Sequence, residues 1–180
     1  CADAVIERRL EVVTAFGGAA SEAQSGAVAM DAPQIIGWAS SVTSYLPGRE
    51  VQPQFQDASL ALGPAEGTAL SGVTLGAGGK IVVSVEPVVT NGAGPDFAVY
   101  ENAFSDTFLE LAFVEVSSDG EHFARFPNVY LGLESVSAFG DHDPELIHQL
   151  AGKYRAGFGV PFDLQVLSGH PLVRAGFVDL

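Results

Sequence analysis

The stretch Leu111-Ala112-Phe113-Val114-Glu115-Val116-Ser117-Ser118-Asp119-Gly120, with Phe123-Ala124-Arg125-Phe126 close behind it, decides the fold class. Its first half is rich in β-branched and aromatic residues, which suit the pleated, half-buried surface of a strand. Asp119-Gly120 is a turn pair, and apolar residues resume just after it, so the stretch predicts a β-hairpin. Ile81-Val82-Val83-Ser84-Val85 and Phe97-Ala98-Val99-Tyr100 read as strands in the same way. Pro47-Gly48, Gly63-Pro64, Gly78-Gly79, Asn91-Gly92 and Gly94-Pro95 punctuate the chain at short intervals. Many short strands between such turns predict an all-β fold, an antiparallel β-sandwich with strand cores at residues 81–85, 97–101, 111–117 and 123–126. Ile81, Phe97, Val99, Val114, Val116 and Phe123 are expected to be mostly buried in it. One short helix is expected, at Pro144-Glu145-Leu146-Ile147-His148-Gln149-Leu150, where Asp143 caps and Pro144 takes the first helical position.

The 180 residues make one ordinary domain or at most two small ones. Hydrophobic residues reach 47 % and charged ones only 17 %, so the chain can fill a core. Twenty-two acidic residues against eight basic ones give a net charge of −14. That balance repels phosphate backbones and anionic membrane surfaces, which argues against a nucleic-acid partner. The natural inorganic partner of such a chain is a hard cation. No apolar run approaches the roughly 20 residues of a membrane span.

Cys1 is the one cysteine, so no intrachain disulfide forms. A lone Cys followed by a small Ala2 is what a bacterial lipoprotein shows after signal-peptide removal, the thiol then carrying the lipid anchor. A chain boundary that happens to fall at Cys reads the same. Val5 to Val13 has the make-up of a short helix. Gly17 to Gly26 is small and polar and reads as a tether. Residues 1–35 are therefore expected to be a lipid-anchored or flexible N-terminal segment, and residues 36–180 the β-sandwich domain.

Several blocks between Trp38 and Asp163 form a larger pattern. They are Tyr45-Leu46-Pro47-Gly48, Phe55-Gln56-Asp57-Ala58-Ser59-Leu60-Ala61-Leu62-Gly63, Leu75-Gly76-Ala77-Gly78-Gly79-Lys80-Ile81, and the hairpin stretch above. Most specific is Asp96-Phe97-Ala98-Val99-Tyr100-Glu101-Asn102-Ala103-Phe104, and Leu150-Ala151-Gly152-Lys153-Tyr154-Arg155-Ala156-Gly157 closes the set. The pattern covers about two-thirds of the chain. It resembles a family of bacterial cell-surface proteins of poorly defined function, some with sorting signals or lipid anchors. The order of signals is also similar to galactose-binding-like jelly rolls, which bind glycans, lipids and other small ligands. The resemblance implies a strand at Leu172 to Asp179, then a Gly- and Pro-rich loop and a closing strand. The sequence stops at Leu180, so either the natural chain continues or this member lacks that strand.

Nucleophile motifs are absent: there is no Gly-x-Ser-x-Gly elbow and no His-Glu-x-x-His helix. Gly76-Ala77-Gly78-Gly79-Lys80 leads into a strand, not a helix, and reads as a turn, not a phosphate loop. His142 lies between Asp141 and Asp143, which is either a small metal cluster or a solvated loop before a cap. Asp57 sits where galactose-binding-like domains often hold calcium, and equally where an aspartate caps a turn through its own backbone. Strand alternation puts Glu101 on the face of Phe97 and Val99, so it points inward and needs a partner or a metal. Asp57, Glu101 and Asn102 are thus candidate calcium ligands. A structural ion pair of Glu101 with Arg125, Lys153 or Arg155 is the alternative.

The loop from Lys153 to Asp163 gathers two basic residues, three aromatics and a carboxylate in a Gly-rich stretch. Lys153, Tyr154, Arg155, Phe158 and Phe162 are the candidate ligand-binding residues, since aromatic faces beside a few polar groups suit sugars and flat macrocycles. A loop stapled onto the sandwich edge by its own aromatics is the competing view. The function expected is non-catalytic: an extracytoplasmic, calcium-stabilised surface lipoprotein, cell-surface or outer-membrane-anchored, that binds a glycan or a nutrient such as a corrinoid (cobalamin). An outer-membrane transporter or another surface protein is the expected partner. The alternatives are a glycoside hydrolase using paired carboxylates such as Glu101 and Glu115, and a purely structural or adhesion domain.

Overall fold

A computed structural model describes residues 15–133, 136 and 140–180. The expectations for Cys1 and for a helix from Val5 to Val13 lie outside the described residues. Among the described residues nine strands run in chain order: β1 Val28–Ala29, β2 Ala39–Leu46, β3 Lys80–Val85, β4 Phe97–Tyr100, β5 Glu115–Val116, β6 Ala124–Arg125, β7 Val129–Tyr130, β8 Ile147–His148 and β9 Phe158–Phe162. The one α-helix among them is a single turn, α1, at Pro171–Arg174. Strand outweighs helix there, 23 % against 12 %, and each of these strand pairings is antiparallel, which makes a small all-β fold.

The central sheet has the order β1–β9–β4. Phe97 faces Phe162 across the β4–β9 ladder, and their rings stack with centroids 5.3 Å apart. Phe126, just past β6, meets both edge-on, at 5.8 Å from Phe97 and 4.9 Å from Phe162. Each such pair is worth about 0.5–1.5 kcal/mol beyond its buried area. Around this triad lie Val160, Leu164, Leu167 and Val178, all buried, which makes one core. A smaller core of Ala103, Leu109, Ile147 and Leu150 sits under β8.

The β5–β6 hairpin forms as its sequence predicts, with Glu115 opposite Arg125 and Val116 opposite Ala124. Gly120 adopts φ 76°, a left-handed value that favours glycine. Asp119 accepts from the N–H groups of Glu121 and His122, both at 2.8 Å, and fixes the turn. The first strand of the hairpin is shorter than expected, because Ala112 leaves it to bridge to Ala151 instead.

Two expectations about elements are corrected. The helix expected at residues 144–150 is only a 3-10 turn, Pro144–Leu146, followed directly by β8. Asp143 and Pro144 act as cap and first residue as expected, but Ile147 and His148 pair with β7 and Gln149 turns to φ 53°. A helix of one or two turns has too few bonds to resist that pairing. At the other end, Leu172 lies in α1 and not in a strand: Pro171 starts the helix and the His170 imidazole accepts from Leu172 N–H. Ile81, Phe97, Val99, Val114, Val116 and Phe123, expected to be mostly buried, are partly buried, and Phe97, Val99, Val114 and Val116 pack against the main core.

Parts of the segment expected to be lipid-anchored or flexible (residues 1–35), the Gly17–Gly26 tether among them, make specific contacts. The ring of Phe16 stacks on His148 at 4.7 Å, and Ala20 joins the main core. Ser25 C=O accepts a short hydrogen bond from the Tyr154 hydroxyl, and β1 adds to the sheet beside β9.

Candidate functional site

The β2–β3 ribbon pairs with no other strand among the described residues. Between it, β4 and the segment before β5 lies a cleft of about 2830 Å³. Trp38, Tyr100, Phe104 and Phe113 give it aromatic lining, and Ile36, Leu70 and Val88 give it exposed aliphatic lining. Trp38 enters from just ahead of β2 and meets Tyr100 of β4 at 5.2 Å with the rings tilted by 53°. The Tyr100 hydroxyl donates to Ala29 C=O at 3.3 Å, which anchors that pair to β1. Phe113 is covered on one face by the Arg125 guanidinium, 4.2 Å from its ring centre, and is otherwise exposed.

Glu101 follows β4 and lines the same cleft. Strand alternation carries its side chain inward, as the sequence implied. Oε2 is buried with no hydrogen-bond partner among the described residues. Burial raises its pKa to about 7, the neighbouring Glu110 carboxylate pushes in the same direction, and the N–H groups of Asn102 and Ala103 only partly offset this. The expected ion pairs do not form. Arg125 is taken by Glu115 at 2.7 Å, Arg155 by Asp106 at 3.3 Å, and Lys153 Nζ donates to Ile147 C=O at 2.8 Å.

Of the other candidate calcium ligands, Asp57 and Asn102 are each engaged by protein groups. Asp57 accepts from Ser59 N–H at 3.0 Å and from the Ser59 hydroxyl at 2.6 Å, which caps the 3-10 turn Ala58–Ala61 and lowers its pKa. Asn102 donates to Ala69 C=O at 2.9 Å. No group of three His, Cys, Asp or Glu side chains gathers among the described residues. The His142 trio is likewise dispersed. Asp141 accepts from the Thr107 hydroxyl, Asp143 caps Glu145 N–H, and the His142 ring meets the Tyr130 hydroxyl.

The candidate ligand loop divides in two. Lys153, Tyr154 and Phe162 are buried, at 5 %, 3 % and 1 % exposure, so they offer no face to a ligand. Burial raises the Tyr154 pKa to about 12 and lowers that of Lys153 to about 8. Arg155 and Phe158 remain half-buried, stacked on each other at 4.7 Å. The loop behaves as the aromatic staple that was its competing interpretation.

The aromatic cleft residues carried a weak sequence signal: Trp38 is the only tryptophan, and Phe113 stands in a strand-like run yet remains exposed. Glu110 gave none. No family model, no curated protein and no solved structure matches the chain.

Proposed function

We propose that the protein is a non-catalytic ligand-binding domain whose ligand occupies the cleft beside the β2–β3 ribbon. The cleft itself carries the proposal. It is broad and open, and Trp38, Tyr100, Phe104 and Phe113 bring aromatic rings to its wall, which suits a ligand with apolar faces. A corrinoid or an extended glycan has such faces, and these rings are surfaces on which either would lie. In this proposal the strands belong to a galactose-binding-like jelly roll carried on a bacterial surface, anchored by lipid at Cys1 and stabilised by calcium. Its partner is a transporter or another surface protein to which the ligand passes. The resemblance and the −14 charge support those parts.

Trp38 makes the test direct, since it is the sole tryptophan and stands in the cleft. Titration with cobalamin, and with glycans selected on an array, is expected to change its emission saturably. A Trp38→Phe, Phe113→Ala variant is expected to lose the binding and keep the fold. Unchanged emission at saturating concentrations of both ligand classes overturns the proposal.

One observation favours a glycoside hydrolase as the second reading. Glu101, with its pKa raised to about 7, has the character of a general acid, while Glu115 lines the same cleft paired with Arg125 at 2.7 Å. Turnover of aryl glycosides that disappears in Glu101→Gln would establish it.

A further inference from the structure

The central sheet ends on β4, so one long side of that strand carries no partner strand among the described residues. Pro161 decides which backbone groups face that side. It stands opposite Ala98 and has no N–H, so Ala98 and Pro161 are the pair that exchanges no hydrogen bonds. The ladder to β9 runs instead through Phe97 with Phe162 and Val99 with Val160. The N–H and C=O groups of Ala98 and Tyr100 therefore point outward from the sheet. Every residue of β4 lines the cleft. A row of outward backbone groups is a template for another extended chain.

Charge indicates which chain. Nine acidic residues line the cleft against Arg49, Lys80 and Arg125, and with Arg125 and Glu115 neutralising each other and Glu101 holding its proton up to about pH 7, seven carboxylates still face two cations. A second copy of this protein would bring its own −14 into that field and be repelled. We propose that the outward edge of β4 receives an extended, lysine- or arginine-bearing segment of a partner protein, hydrogen-bonded to Ala98 and Tyr100. Its apolar side chains lie in the cleft, and its charges meet the surrounding carboxylates. The inference goes beyond the ligand proposal and rests on backbone groups, where that one rests on aromatic rings. Trp38 emission with cobalamin and amide protection at Ala98 report on the two separately.

The experiment uses the isotope-labelled full chain and a synthetic strand of alternating lysine and valine, of about six residues. Saturable shifts and slowed exchange at the Ala98 and Tyr100 amides are expected, weakening as salt is added. A glutamate-for-lysine strand, and a lysine strand N-methylated along its pairing edge, are each expected to bind at least about tenfold more weakly. Ala98→Pro removes the outward N–H while leaving the ladder to β9, and is expected to bind equally weakly. If that variant unfolds, the N-methylated strand on the native protein carries the test. Equal binding of the methylated or the acidic strand, shifts that avoid β4, or no binding at all overturns the proposal. Protection of the same amides that grows with protein concentration alone assigns the edge to a second copy, and overturns it too.

Discussion

Burial of Glu101 and of Lys153 makes stability depend on pH in opposite directions, and burial of His142 and His148, which lowers their pKa, offsets part of the Glu101 effect on the acidic side of neutrality. The folded state holds the Glu101 proton up to about pH 7, whereas an unfolded glutamate releases it near 4.5. Between those values the native state binds more protons, so stability falls as pH rises, by about 3 kcal/mol at most. Lys153 loses its proton at about 8 in the fold against 10.5 unfolded, so stability rises again across that window. Thermal melts are expected to show a midpoint that drops from mildly acidic to neutral pH. Glu101→Gln is expected to flatten that drop and melt higher than wild type above pH 7. An identical pH dependence in wild type and Glu101→Gln would contradict the burial of Glu101. Tyr154 gives a second residue-scale outcome. Tyr154→Phe leaves Ser25 C=O without its donor and is expected to cost about 1–2 kcal/mol, and Tyr154→Ala about 3–5 kcal/mol. Denaturant titration separates these from the near-zero loss expected of an exposed ligand-contacting ring. The inward direction of Glu101 was legible from alternation along one strand. Its neighbour Glu110 was not, because that contact depends on a loop path that no local pattern encodes.

At the scale of elements, legibility followed the range of the interactions. The β5–β6 hairpin is a local object, set by Asp119-Gly120 and the residues on either side, and its sequence predicts it. The segment from Pro144 to Leu150 carries an equally clear local signal for helix, yet a distant strand, β7, claims Ile147 and His148. Ala112 and Ala151 form a similar long-range bridge that shortens a predicted strand. Gly152 is what lets that bridge close: its φ is +80°, and a Cβ there would collide with the Glu110 carbonyl. Gly152→Ala is therefore expected to lose at least about 2 kcal/mol. Gly78→Ala also sits at positive φ (+81°) but with open space around it, and is expected to lose about 1 kcal/mol. Equal losses for the two would show that the close approach at Gly152 does not matter.

For the whole molecule, the sequence announced an acidic, turn-rich all-β chain but not its open side. Composition reports how much apolar surface exists, and cannot report that the β2–β3 ribbon stands away from the central sheet. The proposed calcium belongs to this scale, because an ion bound only by the native state stabilises all of it together. The midpoint with excess calcium is expected to exceed that with EDTA, by about 2.7 kcal/mol at a hundredfold excess over the dissociation constant. Coincident melts would remove calcium from the proposed function. The seat of β1 at the margin of the central sheet has a mechanical consequence. It is held by two residue pairs, Val28 with Gly159 and Ala29 with Phe158, by the Tyr154 hydroxyl just ahead of them, by the Tyr100 hydroxyl on Ala29 C=O and by Met30 N–H on Gly157 C=O just behind. A load applied upstream of Phe16 would be borne first where Phe16 stacks on His148 and then by these bonds, and loss of the one at Ala29 would release the Tyr100 hydroxyl that steadies the cleft's aromatic pair.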